Sequence, residues 1–330
     1  DEALENVTHL FEKVFKRSIT ERNKKQAEVP DTCKVLINPR GTAPGMMFEK
    51  EQCIFVSMPG VPHEMKGIMN DYVIPLLKMK FDLPHIAHRT LVTFGIGESM
   101  LADLIQTYEE QLPKHVKLAY LPNYGIVRLR LSSSGKNKDD IENEINHLFA
   151  ELQIQVKDYL VTDEDEGMEK VVAKLLVLNK ETLSTAESCT GGYLSHLITA
   201  MPGSSAYFLG SIISYSNEVK ENILLVNHEN IIQNGAVSEA VVIDMAKGAL
   251  KQLNSTYTIA VSGIMGPDGG SVEKPVGTVW VAVGNQNKII TKQFHFRFDR
   301  IKNIQLTAMN AFNLLRTFII DQSQIDSIKL

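Results

Sequence analysis

Ser188 and Cys189 stand side by side in Ala186-Glu187-Ser188-Cys189-Thr190-Gly191-Gly192, a hydroxyl and a thiol where a strand is predicted to give way to a helix. Either group can attack an electrophilic centre once a base takes its proton. The strand, Glu181 to Ala186, is short and β-prone, and the helix, Tyr193 to Ile198, carries apolar residues at helical spacing. The turn between them is a helix N-terminus, whose unpaired N–H groups and positive dipole end favour an anion. Two glycines let the backbone approach a ligand closely, so Thr190, Gly191 and Gly192 are expected to bind substrate, a phosphorylated one fitting well. Ser188 has two readings, a helix cap or a nucleophile. Cys189 is the rival nucleophile, because a thiol at a helix N-terminus has a depressed pKa. It lacks a base nearby in sequence, His196 lying roughly 10 Å along the same helix, and its default role is buried packing. A second glycine-rich turn, Ser262 to Gly270, follows the predicted strand Thr256 to Val261. Alone it is ordinary turn chemistry. Beside Ser188 it suggests a nest of N–H groups for a phosphate or carboxamide oxygen, with Ser262, Gly263 and Gly266 as candidate binding residues.

The elements that must position these groups come from a chain of 330 residues, 44% hydrophobic and 22% charged, which predicts two or three globular domains. No apolar run reaches the roughly 18 to 20 residues of a membrane span, and the N-terminus lacks a basic-then-apolar signal pattern, so a cytoplasmic protein is expected. Cys33, Cys53 and Cys189 form neither a C-x-x-C pair nor an even disulfide framework, which fits a reducing compartment and argues against structural zinc. A net charge of -5 makes a large surface for duplex nucleic acid a poor expectation and small-molecule chemistry the better one. The chain opens at Asp1 without an initiator methionine, and a processed or truncated start is expected.

Three regions are predicted. Residues 1–77 read as helices at Ala3 to Arg17, Thr20 to Glu28 and His63 to Leu77, with strands at Cys33 to Ile37 and Cys53 to Ser57. Two short strands cannot make a parallel sheet with both faces covered, so this looks like part of a larger α/β unit. Residues 78–162 hold strand Ile86 to Phe94, helix Gly97 to Glu110, strands Val116 to Tyr120 and Gly125 to Ser132, helix Asp139 to Leu152 and strand Gln155 to Val161. That order, βαββαβ, is the ferredoxin-like unit. The acidic Thr162-Asp163-Glu164-Asp165-Glu166-Gly167 is expected as a linker and as the opening of a helix from Met168 to Leu178. Residues 163–330 continue as an α/β domain with strands Leu209 to Tyr215, Thr256 to Ser262, Val276 to Val283 and Lys288 to Phe296. Its helices start at Asn217 and span Ser238 to Leu253 and Asp299 to Ile319.

In this last region Ala186 to Gly192, Ser214 to Lys220, Gly235 to Ser238, Ser262 to Gly270 and Lys274 to Trp280 follow one another in an order that resembles the C-terminal domain of the CinA family. The resemblance implies a nicotinamide-nucleotide amidase acting in pyridine nucleotide salvage on nicotinamide mononucleotide. It makes Ser188 the nucleophile, Lys220 the base that partners it, Tyr215 a further catalytic residue and Arg300 a phosphate contact. No H-E-x-x-H or clustered carboxylate triad in this region asks for a metal, so no metal or cofactor is expected for the amidase; the resemblance suggests a homodimer. Amide hydrolysis needs just such a nucleophile and base, with donors for the oxyanion. A lysine serves as base when burial or a nearby cation lowers its pKa toward neutrality. The Tyr215 phenol could relay a proton, fix the lysine or cover the core. Met265 stands where the family usually has alanine, which narrows the expected pocket. Asn38 to Gly45 and Pro59 to Lys66 make the first region resemble the second half of the family's molybdopterin-binding-like domain. The ADP-ribose pyrophosphatase activity and divalent metal implied for a complete domain are not expected here, because its Gly-Gly-Leu-Gly-Pro-Thr segment is absent. The middle region is KH-like in the family but carries no G-x-x-G loop, so it is expected to be a spacer or dimerisation element. The competing function is a nucleotide-binding scaffold in competence or damage response, which needs neither nucleophile nor base.

Overall fold

The computed structural model describes residues 2–123 and 125–323, in two compact units, Asp1–Pro84 and His85–Leu330. In the first, α1 (Glu2–His9) widens into a π-helical turn at Leu10–Val14, and α2 (Glu21–Lys24) is opened by a reciprocal Thr20–Asn23 capping box. Strands β1 (Lys34–Leu36), β2 (Gly45–Lys50) and β3 (Cys53–Ser57) form an antiparallel sheet in that order. Helices α3 (Pro62–Ile68) and α4 (Ile74–Lys80) follow, joined by a π-helical Met69–Val73. The sequence reading lacked β2. Gly-Met-Met-Phe-Glu-Lys has no polar–apolar alternation, and the strand exists because a turn at Glu51 folds β3 back along it. The core here is small, Leu36, Met47, Ile68 and Val73. Buried Asn38 donates to the Ala43 carbonyl and to Glu64, fastening the Pro/Gly-rich loop to the start of α3.

The second unit holds two sheets. β4 (His85–Phe94), α5 (Glu98–Glu110), β5 (Lys117–Asn123), β6 (Ile126–Gly135), α6 (Lys138–Gln155) and β7 (Leu160–Thr162) keep the expected βαββαβ order. Their sheet is antiparallel throughout, in the order β5-β6-β4-β7. The last strand is shorter than predicted because α6 runs through Gln155 and a turn fills 156–159. Leu101 and Ile105 of α5 and Ile145 and Leu152 of α6 cover one face. Val92, Ile126 and Val161 instead join a core with Met168, Val171 and Val172 of α7 (Met168–Asn179).

The acidic stretch expected as a linker is built into that junction. Thr162 and Glu166 are buried; Asp165 pairs with Arg128 and Arg130 of β6, while Lys174 of α7 bridges Glu164 and Glu166. Charge alone suggested solvation, but basic side chains from two elements meet it. β8 (Leu183–Glu187), α8 (Tyr193–Thr199), β9 (Phe208–Ile213), α9 (Asn217–Asn222), α10 (His228–Asn234) and α11 (Glu239–Leu253) come next. β10 (Tyr257–Gly263), β11 (Thr278–Gly284), β12 (Ile289–His295) and α12 (Arg300–Ser323) complete the unit. Only α10 among these went unpredicted.

This sheet runs β12-β11-β10-β8-β9, with β9, β8 and β10 parallel and β11 and β12 antiparallel. Alternation along β10 sends Ile259 and Val261 into the core with α7 and α12, and Ala260 into the opposite core with α11. The chain leaves β8 for β9 on one side and returns as β10 on the other. In a parallel sheet that reversal opens a crevice at the carboxyl ends of the strands, where ligands bind. Among the described residues no helix is long and apolar enough to cross a membrane.

Candidate active site

Ser188 follows β8 directly, and its backbone N–H donates to the Val261 carbonyl at 3.1 Å, tying it to β10. Across the crevice, Ser216 caps α9 by accepting the Val219 N–H, which turns Lys220 inward to 1% exposure. The Lys220 Nζ lies 2.9 Å from Ser188 Oγ, 2.7 Å from the Ser214 carbonyl and 3.4 Å from the Tyr215 carbonyl. Burial lowers the lysine pKa below its ordinary 10.5, and only a charged Cys189 would counter this. Burial, reinforced by Glu187, pushes the Cys189 thiol up to about 12, so that counterweight is missing at neutral pH. A neutral amine has two N–H groups and one lone pair. Nζ stands within donating distance of all three oxygens; once the amine is deprotonated, its two N–H groups can stay on the carbonyls and its lone pair is free to take the serine proton, the geometry a general base requires.

Ser188 and Lys220 form the floor of a cavity of about 200 Å³, together with Ser262 and Gly263; Tyr215 and Arg300 stand exposed at its mouth. Arg300 opens α12 and donates to the Gly266 carbonyl at 2.9 Å and the Tyr215 hydroxyl at 3.1 Å. Neither acceptor is a carboxylate, and among the described residues no acidic side chain pairs with the guanidinium. The Tyr215 phenol therefore holds Arg300, whereas its carbonyl meets the lysine; of the three roles left open for the phenol, fixing Lys220 and covering the core are not what this geometry shows. Asn217, Ala236, Val237 and Met265 also line the cavity. Met265 had been expected to narrow the pocket; Asn217, Ala236 and Val237 were not nominated singly, although all three lie within the motifs Ser214 to Lys220 and Gly235 to Ser238. Ser262 donates to the Ala236 carbonyl at 2.7 Å, and Lys274 donates to the Asn234 and Val237 carbonyls, so this wall is held from two sides. A larger hollow of about 670 Å³ between α11 and the β11–β12 turn is lined by lysines and amides and contains no nucleophile paired with a base. Chemistry, not size, singles out the smaller cavity.

The helix N-terminus expected to take a ligand anion is occupied from within. The fully buried Glu187 carboxylate accepts the N–H groups of Gly192, Leu194 and Ser195 at 3.0, 3.1 and 2.9 Å and the Thr190 hydroxyl at 2.7 Å. Thr190 and Gly192 thus face the carboxylate and do not line the cavity. Gly191 donates to the Ser188 carbonyl at 3.2 Å, and Gly266 serves through its carbonyl on Arg300. The dipole argument was sound, but the anion it calls for is a side chain. Cys189 also lines the cavity, but burial pushes its thiol up to about 12, and the Lys220 amine makes its hydrogen bonds to Ser188, Ser214 and Tyr215. Among the described residues no group of three or more His, Cys, Asp or Glu converges to hold a metal ion.

Residues 165–319 match the profile of the CinA C-terminal domain, and residues 88–162 that of the damage-inducible protein CinA KH domain. A CinA-like protein of Flavobacterium psychrophilum is 44% identical over 316 residues, covering 96% of this chain and 76% of its own. One from Cytophaga hutchinsonii is 42% identical, with 96% and 75% covered. A crystal structure of a CinA superfamily protein from Klebsiella pneumoniae 700603 superposes with a TM-score of 0.46 at 32% identity, covering 47% of this chain and 99% of that one. On the length and identity of the first two matches, the chain belongs to the CinA family.

Proposed function

We propose that this site hydrolyses the carboxamide of nicotinamide mononucleotide to nicotinate mononucleotide and ammonia through a Ser188 acyl-enzyme. The observation that carries the reading is the buried Lys220 amine, 2.9 Å from Ser188 Oγ, at the carboxyl end of β8, the middle of the three parallel strands. Lys220 takes the Ser188 proton as Oγ bonds to the carboxamide carbon. The C–N bond then breaks, and the lysine returns the proton to the departing nitrogen as ammonia. Water, deprotonated by the same amine, attacks the ester carbon and frees the carboxylate, and Ser188 regains its proton.

The cavity of about 200 Å³ is smaller than the roughly 300–1,000 Å³ that encloses a whole drug-sized ligand. It suits the carboxamide-bearing ring, with the ribose phosphate outside, beside Arg300. The amidase outweighs the scaffold reading because pure binding gives no reason to bury a lysine against a serine hydroxyl. Ammonia release from nicotinamide mononucleotide without added metal tests it. The parent chain turns over, and Ser188→Ala and Lys220→Ala do not; a parent chain that binds the nucleotide without releasing ammonia would overturn the reading in favour of the scaffold.

A further inference from the structure

Glu187 contributes more to the site than filling a helix end. Its two carboxylate oxygens are loaded evenly. Oε2 accepts from the Thr190 hydroxyl and the Gly192 and Leu194 N–H groups; Oε1 accepts from the Ser195 N–H, the Ser195 hydroxyl and, at 3.4 Å, the Thr185 hydroxyl. All these donors except Thr185 belong to the turn and helix that follow the nucleophile. The backbone of Glu187 reaches the other partner of the dyad: its carbonyl accepts the Ser214 N–H at 2.8 Å, and the Ser214 carbonyl accepts from Lys220 at 2.7 Å. Glu187, Ser188, Lys220 and Ser214 therefore close a ring of contacts, with the covalent 187–188 bond as one side and the 2.9 Å Lys220–Ser188 contact as another.

We infer that Glu187 is a positioning residue for Ser188, its carboxylate clamping the Cys189–Gly192 turn so that the serine hydroxyl stays in contact with the lysine amine. The inference rests on the serine-amidase reading. It explains why an acid, and not the glycine or small polar residue typical of a strand end, stands before the nucleophile. Two left-handed glycines, Gly191 at φ +60° and Gly192 at φ +101°, make the turn intrinsically pliant. Three backbone N–H groups and two hydroxyls from that turn and helix, converging on one buried carboxylate, take that freedom away. Misplacing a reacting atom by about 1 Å costs roughly 100-fold in rate, so a clamp is felt in the chemical step more than in binding. Glu187→Gln keeps the shape but sets an NH₂ among donors on either side, leaving at least one buried N–H without an acceptor.

The test is the rate at which a phosphonofluoridate labels Ser188, read beside kcat and KM for nicotinamide mononucleotide on the full chain. Expected for folded Glu187→Gln is labelling and kcat each reduced about 100-fold, with KM within about threefold of the parent. A purely structural role predicts a lower melting temperature but an unchanged labelling rate per folded molecule, and that result overturns the inference. If Glu187→Gln does not fold, Thr190→Val and Ser195→Ala decide. Each removes a hydroxyl donor and leaves the carboxylate, and each slows labelling about threefold to tenfold; unchanged labelling in both overturns the clamp. A parent chain in which Ser188 takes no label overturns the nucleophile itself, and the inference with it.

Discussion

Two glycine-rich turns reach the cavity from neighbouring strands, and they are held in opposite ways. The turn after β8, Ser188–Gly192, is mostly buried and gathered onto the Glu187 carboxylate. The longer one after β10, Ile264–Gly277, is fastened at its root by Ile264 to Thr278 and Gly277 to Ile264 backbone bonds and tethered by Lys274, while Val272 at its tip is fully exposed. The first turn carries Ser188, the proposed nucleophile; the second offers the Gly266 carbonyl that holds Arg300 at the mouth. A rigid floor and a loosely anchored rim divide the work. Changes on the floor should fall on kcat, and changes at the rim on KM.

The sharpest way to break that division is to remove the floor chemistry twice. Ser188→Ala and Lys220→Ala are each expected to lower kcat by about a thousandfold or more, and the double variant to be no worse than either single one, because two groups that act as a unit are not additive. Single-turnover rates on all three measure this. Losses that multiply would mean the two residues act independently, and the 2.9 Å contact would not be the engine of the reaction. At the rim, Arg300→Ala should raise KM by about 10- to 100-fold, since a charge-assisted hydrogen bond to phosphate is worth roughly 1.5–3 kcal/mol, with kcat changed about threefold at most. Nicotinamide riboside, which lacks the phosphate, should be indifferent to the substitution. A fall in kcat for both substrates would place the guanidinium in the chemistry.

How far these roles could be read in the sequence depended on where each partner lay along the chain. The three parallel strands and their following turns were legible, because apolar runs such as Tyr257 to Val261 stand between clear turn residues. Strand β2 was not, since its apolar and polar residues do not alternate and its pairing is set by β3. Ser188 was a candidate by its place at a strand–helix corner. Lys220, 32 residues on, was visible only through the order of motifs, because nothing local says that a helical lysine turns inward. The acid clamp was missed although Glu187 adjoins the nucleophile. Dipole reasoning correctly asks for an anion at the α8 N-terminus, but which anion depends on the way a strand-end side chain points. A usable signal was present: an acid immediately before the turn with Thr190 three residues later and Ser195 eight later, all small donors within one turn of the helix start.

A smaller effect sharpens the account of the floor. Lys220 has a lower pKa folded than unfolded, so between that lowered value and 10.5 the unfolded chain holds a proton the folded one does not. Stability from this group therefore rises with pH through that window, and at lower pH the burial penalty of the ammonium is fully present. Denaturation of the parent and of Lys220→Met at a series of pH values should show the parent gaining on the variant as pH rises toward 10.5, with kcat climbing over the lower part of the same window. A parent–variant difference independent of pH would show that the amine is not destabilised as a cation.

The smallest expected effect is at Cys189, and it is informative because the residue borders the nucleophile. Its thiol is 7% exposed, and its pKa is pushed up to about 12, so the thiolate fraction at pH 7 is negligible. Cys189→Ala should leave kcat and KM within about threefold of the parent and lower stability by about 1 kcal/mol, as the loss of one small buried group does. Iodoacetamide should modify Cys53, which is exposed, well before Cys189. Were Cys189→Ala inactive while folded, the thiol and not the hydroxyl would carry the acyl group. The Lys220 contact to Ser188 would then be structural, and the floor of the cavity would have to be read around sulfur. Activity in Cys189→Ala joined to inactivity in Ser188→Ala assigns the chemistry to one of two adjacent nucleophiles whose difference lies in orientation and not in burial, since both are buried. Of the two, it is the hydroxyl that lies in hydrogen-bond contact with the Lys220 amine, at 2.9 Å.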